Sequence, residues 1–141
     1  MAKILIVDDE VGIRELLSEI LRDEGHDILL AENASAARAA RNAVRPDMVL
    51  LDIWMPDTDG ITLLKEWAAN GQLNMPVVMM SGHGTIDTAV EATRFGAFDF
   101  LTKPFDGNPA TVGNGVMVAL QANDKEQVGR LHAIALAHGG T

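Results

Sequence analysis

Five short segments rich in apolar residues recur along the chain, and a helical pattern separates each of them from the next. The segments are Lys3–Val7, Ile28–Ala31, Asp47–Leu51, Val77–Met80 and Ala97–Leu101. Runs of this length fit strands that are buried on both faces. Strands that alternate with helices pair in parallel, with helices covering both faces and right-handed crossovers. The sequence therefore predicts an α/β protein built on a five-stranded parallel sheet.

Four helical patterns connect these strands. The helices are expected from about Ile13 to a C-cap at Gly25, from Asn33 or Ser35 to Val44, from Gly60 to Asn70, and from Thr85 to Phe95. In the first of them, apolar residues fall at i, i+3, i+4, i+7 and i+8, which is the spacing of one helix face. The short connections between strands and helices leave no room for a domain boundary before residue 101.

The segment after Phe105 is less regular. A helix is expected from Pro109 to Leu120, although Gly113 and Gly115 each cost such a helix about 1 kcal/mol relative to alanine. A second helical piece begins at Asn123, where Glu126 completes a capping box. Its apolar stripe is Val128, Leu131 and Ala135, and Gly139-Gly140 ends it. We therefore expect one domain over residues 1–122 and a C-terminal helical extension or linker over residues 123–141.

Charge and composition exclude several classes of function. The chain of 141 residues carries 11 basic and 20 acidic side chains, a net charge of −9, which argues against direct binding to nucleic acid. It has no cysteine, which excludes disulfides and thiolate metal sites. No apolar run is long enough to span a membrane, and Ile4–Val7 is too short for a signal peptide. A cytoplasmic location is the expectation.

Polar side chains stand where four of the five predicted strands end. Asp8 and Asp9 follow the first strand, and Asp52, Ser81 and Lys103 follow the third, fourth and fifth strands. In open parallel sheets this carboxyl edge is where ligands bind. Each residue alone has an ordinary explanation, as a helix cap, a helix-entry serine or a surface lysine. Their convergence from distant parts of the chain favours a functional site.

Three carboxylates at one edge repel each other, and a bound cation relieves that repulsion. Oxygen ligands without cysteine or paired histidine suit magnesium, with manganese as an alternative. Asp9 and Asp52 are the expected ligands, with Asp8 binding directly or through water and the backbone carbonyl of Trp54 as a further ligand. The alternative is that Asp8 or Asp9 caps the first helix.

Beside a metal ion, Asp52 can attack phosphorus and form an aspartyl phosphate. The transition state spreads negative charge over three oxygens, which the Lys103 ammonium and the Ser81 hydroxyl would stabilise. A cis peptide between Lys103 and Pro104 would aim the lysine inward. Phe100 is either core or an aromatic that rotates between buried and exposed positions. His83 is expected to be a solvated loop residue.

Two further acids, Asp57 and Asp59, follow the proposed nucleophile closely in the chain. They lie between Pro56 and Gly60, where the strand has ended and the next helix is about to begin. Aspartate is common in turns and at helix N-caps because its carboxylate accepts hydrogen bonds from nearby backbone N–H groups. We therefore expect Asp57 and Asp59 to be turn and N-cap residues, and not metal ligands.

Four motifs together resemble the receiver domain of two-component response regulators. They are Ile-Val-Asp-Asp-Glu at 6–10, Leu-Leu-Asp-Ile-Trp-Met-Pro at 50–56, Met-Met-Ser-Gly-His-Gly at 79–84 and Phe-Leu-Thr-Lys-Pro-Phe at 100–105. The resemblance covers about residues 2–106. Within the family, the stretches at 81–84, 88–90 and 96–100 are most similar to the nitrogen-regulation receivers, which usually precede an ATPase domain and a DNA-binding module.

The resemblance implies a flavodoxin-like fold, doubly wound, with the strand order 2-1-3-4-5. It implies that Asp52 takes a phosphoryl group from a sensor histidine kinase, with Lys103 contacting the phosphate. Ser81 and Phe100 match the switch pair of the family, and Asp8, Asp9 and the Trp54 carbonyl match its magnesium positions. The surface formed by helix four, strand five and helix five (the segment from Pro109 to Leu120) would change on phosphorylation. It would meet an output domain, in the same or a separate chain, or a second copy in a homodimer.

Three other functions have weaker support. An aspartate phosphatase of the haloacid dehalogenase type requires Asp-x-Asp directly after strand one, and Asp8-Asp9-Glu10 does not supply that spacing. A flavodoxin-like binding module requires a loop rich in Ser, Thr and Gly at the same place. A receiver that acts by protein contact without phosphate would not need the full acidic set. We therefore expect a phosphoacceptor that catalyses at most its own phosphorylation and dephosphorylation, and not an enzyme.

Overall fold

The computed structural model describes residues 2–81, 86–102 and 122–139, and it confirms the α/β architecture. The strands are β1 (Lys3–Val7), β2 (Asp27–Ala31), β3 (Met48–Asp52), β4 (Val77–Ser81) and β5 (Asp99–Thr102). The helices are α1 (Val11–Asp23), α2 (Ala34–Val44), α3 (Gly60–Ala69), α4 (Ile86–Arg94) and α5 (Ala122–Gly139). All neighbouring strands pair in parallel, in the order β2-β1-β3-β4-β5.

The core has two layers because successive side chains of each strand point to opposite faces of the sheet. One layer joins the sheet to α2, α3 and α4, and its members include Leu5, Val7, Val49, Leu51, Ala37, Leu64, Trp67 and Ala92. The other layer joins the sheet to α1 and α5, and its members include Ile4, Ile6, Met48, Leu50, Leu17, Leu21, Leu131 and Ile134. Helices cover both faces, so the strands read as continuous apolar runs in the sequence.

Side chains at the helix starts explain where α2 and α3 begin. Asn33 caps α2 by accepting a hydrogen bond from the Ala36 N–H at 2.8 Å, which decides between the two predicted caps. Asp59 caps α3 by accepting from the Thr62 N–H at 2.8 Å. Glu10 is the N-cap residue of α1, and its side chain makes no capping bond. Neither Asp8 nor Asp9 is therefore the N-cap of the first helix.

Strand β5 begins two residues later than predicted. The N–H of Ala97 donates to the Ala92 carbonyl at 2.9 Å, which closes the last turn of α4. Gly96 takes a left-handed conformation, with φ of 109°, to permit this ending. The apolar side chain of Ala97 is thus buried in the turn between α4 and β5, and the ladder with β4 begins at Asp99.

Helix α5 confirms the second helical piece expected near the C-terminus. Leu131 and Ala135 of the predicted stripe are buried, together with Ile134, against the layer that α1 also covers. Arg130 on the same helix makes a bidentate ion pair with Asp99 of β5 at 2.9 Å. The predicted helix from Pro109 to Leu120 lies outside the described residues, and the domain boundary at residue 122 stays a prediction. Within the described residues, no helix combines the length and apolarity needed to cross a bilayer.

Candidate functional site

The parallel register aligns three of the predicted site residues at the carboxyl edge of the sheet. Val7 of β1 pairs with Leu51 of β3. Asp8 and Asp52 directly follow these two residues, so they lie at the same edge of adjacent strands. Asp52 itself pairs with Met80, directly before Ser81. Asp8, Asp52 and Ser81 are 0%, 1% and 0% exposed. Two buried carboxyl groups on adjacent strands therefore lie at the edge where α/β sheets bind ligands.

Three consecutive acids form a compact cluster at the end of β1. Asp8, Asp9 and Glu10 each offer a carboxylate oxygen within 4.8 Å of the others, and among the described residues this is the set that meets that distance. The Glu10 N–H donates to Oδ1 of Asp8 at 2.9 Å, which fixes the orientation of that carboxylate. The cluster contains two of the predicted metal ligands, Asp8 and Asp9, together with Glu10, which was not predicted as a ligand. Asp52 lies on the neighbouring strand, and its part in metal binding stays a prediction.

The chemistry of this cluster fits a hard divalent cation. Its ligand atoms are carboxylate oxygens, and the same group contains neither histidine nor cysteine. Magnesium and manganese prefer oxygen ligands and bind through one or two carboxylates while keeping several waters. The exposure of Asp9 and Glu10 leaves solvent access for such waters. The donor set is therefore compatible with the ion that the sequence predicted.

Helix α3 begins in direct contact with the backbone of Asp52. The Gly60 N–H donates to the Ile53 carbonyl at 2.7 Å. A Cβ atom at Gly60 would collide with the Asp52 carbonyl oxygen, so the absence of a side chain permits this approach. The loop between them exposes the Trp54 side chain, which is 62% exposed. The Trp54 carbonyl as a metal ligand stays a prediction.

Asp57 and Asp59 are a turn residue and an N-cap residue, as predicted. Asp57 accepts from the Thr58 N–H at 2.9 Å, and it also accepts from the N–H groups of Ala34 and Ser35 at 3.0 and 3.1 Å. These donors, the Ala34 N–H foremost, lower the pKa of Asp57 below its ordinary value. The carboxylate thus joins the loop after Asp52 to the start of α2, a contact between segments far apart in sequence.

The remaining predicted residues belong to β4, β5 and the segments that follow these two strands. Phe100 is half-buried, pairs with Met79 of β4 and packs against the layer of α2, α3 and α4. Ser81 pairs with Thr102, the residue directly before Lys103. Lys103 itself, its peptide bond to Pro104 and His83 lie outside the described residues, so their predicted roles stay predictions.

Comparison with known proteins identifies the family. The model of the response regulator receiver domain matches residues 4–110. The nitrogen assimilation regulatory protein NtrX of Azorhizobium caulinodans is 45% identical over 111 residues, which are 77% of this chain and 24% of that protein. Sporulation initiation phosphotransferase F of Bacillus subtilis is 41% identical over 104 residues, which are 74% of this chain and 83% of that protein.

Solved structures agree with this result. The receiver domain of NtrX from Brucella abortus is 46% identical, with a TM-score of 0.66, and the match covers 84% of this chain and 98% of that one. A two-component response regulator from Clostridium difficile is 25% identical, with a TM-score of 0.76, and the match covers 95% of both chains. This chain spans about a quarter of the length of the NtrX relative from Azorhizobium.

Proposed function

Because this chain belongs to the response regulator receiver domain family, we propose that Asp52 is the residue that accepts the phosphoryl group in two-component signalling. The donor is a sensor histidine kinase. The observation that carries this assignment is the position of Asp52: it ends β3, at the carboxyl edge, beside Asp8 and the acidic cluster. Its side chain is almost fully buried, unlike the other acids of the same loop, Asp57 and Asp59.

Magnesium is the proposed cofactor, with manganese as an alternative. Asp8, Asp9 and Asp52 would hold it, together with the Trp54 carbonyl, and Glu10 stands close enough to Asp8 and Asp9 to contribute. When bound, the ion neutralises carboxylate charge and polarises the phosphoryl oxygens. Carboxylates brought this close to one another favour the binding of a cation, because it removes the repulsion among them.

The proposed transfer moves one phosphoryl group between two side chains. A carboxylate oxygen of Asp52 attacks phosphorus, and the bond from phosphorus to the kinase histidine nitrogen breaks. The electron pair of that bond stays on the imidazole. Lys103, which follows Thr102 at the same edge, would supply positive charge to the phosphoryl oxygens.

The phosphate would then change the surface on the β5 side of the molecule. We propose that Ser81 bonds the phosphate and that Phe100 moves into the space this opens, as the resemblance implies. Phe100 is half-buried, so its ring lies at the boundary between the core and the surface. The described part of this surface exposes Val90, Phe95 and Phe98, which are apolar groups suited to contact with a partner. The partner is an output domain or a second copy of the chain.

Several aspects of the whole protein follow only from the relatives. Curated relatives such as NtrX and the regulatory protein AtoC are regulators about four times as long as the matched region. We therefore propose that this receiver controls an output domain, in its own chain or in another, and that the regulated process is transcription. The chain would act in the cytoplasm as a phosphoacceptor, and turnover of other substrates is not part of the proposal.

Labelling with a small phosphoryl donor tests the assignment. Incubation of the protein with acetyl phosphate and Mg²⁺ should add one phosphoryl group, seen by intact mass spectrometry. Asp52→Asn should abolish this uptake, because an amide oxygen is not a competent nucleophile. Asp9→Asn should slow uptake at limiting Mg²⁺ by about tenfold or more, because it removes charge from the ion site.

Asp59→Asn is the matched control. Asparagine caps helices as well as aspartate does, so the fold of α3 is retained while a carboxylate of the same loop is removed. Labelling should be normal in this variant and absent when Mg²⁺ is chelated. Normal labelling of Asp52→Asn would refute the assignment. A chain that takes no phosphate under any condition would support the alternative of a receiver that acts by protein contact alone.

A further inference from the structure

Two histidines meet where α5 rests on the end of the sheet opposite the phosphoacceptor. His26 directly precedes β2 and is 4% exposed. His132 lies on α5, next to the buried Leu131. Their rings stand edge to face, with centroids 5.0 Å apart. Nothing in the proposed phosphoryl transfer uses this pair.

The two imidazoles form a chain of hydrogen bonds between three elements. The Ala2 N–H, at the start of the sheet, donates to Nδ1 of His26 at 3.3 Å. Nε2 of His26 lies 2.8 Å from Nδ1 of His132. Nε2 of His132 lies 3.6 Å from the carboxylate of Glu24, directly after α1. Residues 106 positions apart in the chain are thus joined by one contact between nitrogens.

This series of hydrogen bonds requires both imidazole rings to be neutral. Each of its two N···N contacts holds one hydrogen. The Ala2 N–H fills the first, so Nδ1 of His26 must be an acceptor and Nε2 must carry the proton of the neutral ring. That proton fills the second contact, so Nδ1 of His132 must be unprotonated. A proton added to Nδ1 of His132 would point at the N–H of His26 Nε2, so two donors would face each other. If His26 moved its own proton to Nδ1, that N–H would instead face the Ala2 N–H.

The surrounding charges decide how this pair responds to acid. His26 faces the His132 imidazole from α5, the amino terminus of the chain and Glu24 after α1. Burial, followed by the nearby His132 and the amino terminus, lowers the pKa of His26, and Glu24 opposes that change. The positive form of His26 is therefore disfavoured in the folded protein.

The contact between His26 and His132 is next to the buried patch of α5. Leu131, Ile134 and Ala135 pack on the sheet, and His132 directly follows Leu131 on the adjoining side of the helix. We propose that His26 and His132 form a pH-dependent latch, which holds α5 on the sheet while both rings are neutral and loosens it when the pair takes up a proton. The proposal does not depend on the phosphoacceptor role of Asp52.

The direction of the pH effect follows from proton linkage. A histidine whose pKa is lower in the folded state binds fewer protons there than in the open state. Its stabilising contribution is complete above the ordinary histidine value of about 6.5, and it is lost as the pH falls through the folded-state pKa. Opening of α5 should therefore become easier on mild acidification, by up to about tenfold for each pH unit when one proton is taken up.

Hydrogen exchange of the full chain, followed by mass spectrometry, tests the latch. Protection of peptides from 122–139 is measured between about pH 7.5 and about pH 5.5 and corrected for the intrinsic pH dependence of exchange. In the wild type, protection should fall severalfold to tenfold per unit below about pH 6.5. In the double variant His26→Gln/His132→Asn neither side chain can take up a proton in this range, so protection should lose this dependence.

Leu131→Ala separates the latch from general weakening of the helix. This variant should lower protection of α5 at every pH and keep the wild-type pH dependence, because it removes packing without touching the imidazoles. Wild-type protection that is flat across the range would overturn the proposal. So would a His26→Gln/His132→Asn variant whose protection falls with acid as steeply as that of the wild type.

Discussion

The residue with the tightest steric constraint near the site is Gly60. Its Cα approaches the Asp52 carbonyl so closely that any side chain would collide with it. The Gly60 N–H holds the next carbonyl, that of Ile53, at 2.7 Å. The start of α3 therefore fixes the backbone on which the phosphoacceptor carboxylate is mounted.

Gly60→Ala is predicted to lower the free energy of unfolding by about 1–3 kcal/mol, because the new methyl group forces the backbone apart. It should also slow phosphoryl uptake, since the Asp52 carboxylate would shift relative to the acidic cluster. Urea unfolding and acetyl phosphate labelling measure the two effects. Gly129→Ala is the control: its Cβ meets open space within α5, and it should stabilise the protein by about 0.5–1 kcal/mol. Equal effects of the two substitutions would contradict the steric account.

At the scale of elements, Asp57 connects the site loop to α2. Its carboxylate accepts hydrogen bonds from the first two backbone N–H groups of the helix, those of Ala34 and Ser35. These bonds add to the N-cap that Asn33 provides. A carboxylate near a helix N-terminus is also favoured by the helix dipole. The loop after Asp52 and the start of α2 should therefore loosen together when this acid is neutralised.

The pKa of Asp57 is lowered in the folded protein, chiefly by the Ala34 N–H. Its contribution to stability is therefore present above the ordinary aspartate value of about 4 and is lost as the pH falls through the folded-state pKa. We expect the Ala34 and Ser35 amides to lose protection from exchange in this acid range. In Asp57→Asn, NMR should show these amides with much less dependence on pH between about 4 and about 2. An unchanged acid dependence in the variant would rule out this role.

Local pattern predicted the elements well where the sequence carries its own boundary signal. Strand β1 matches its predicted bounds, and α3 begins at the predicted Gly60, behind the Asp59 cap. Strand β5 was predicted to begin at Ala97 because that residue is apolar. Ala97 is buried in the turn after α4 instead, where its N–H bonds to the Ala92 carbonyl. Hydrophobicity alone does not reveal this hydrogen bond.

At the scale of the whole molecule, the parallel register brings the site together and α5 closes the second layer of the core. The first could be predicted, because parallel strands share one carboxyl edge, and Asp8, Asp52 and Ser81 lie at the ends of their strands or directly after them. Contacts between residues far apart in the sequence could not be predicted. The bond from Asp57 to α2 and the contact of His26 with His132 depend on how the elements pack. Glu10 was not among the predicted metal ligands, although it directly follows two of them. The run of three acids, Asp8 to Glu10, was the signal that could have indicated it.

Helix α5 is predicted to be an integral part of the fold. Leu131 is 2% exposed and packs with the sheet and α1, so Leu131→Ala should lower the free energy of unfolding by about 2–5 kcal/mol. Leu136, on the same helix, is 42% exposed, and its replacement by alanine should cost less than about 1 kcal/mol. Urea unfolding followed by circular dichroism distinguishes the two. Similar small effects would mean that α5 does not stay packed on the sheet.

The most direct test of the phosphoacceptor assignment is to locate the phosphoryl group in the chain. The protein is phosphorylated with acetyl phosphate and Mg²⁺, the acyl phosphate is converted by borohydride to a stable alcohol, and peptides are sequenced by mass spectrometry. The account predicts a single modified residue, Asp52, with Asp8, Asp9, Asp57 and Asp59 intact. Modification at any of these four acids with Asp52 unmodified would contradict it.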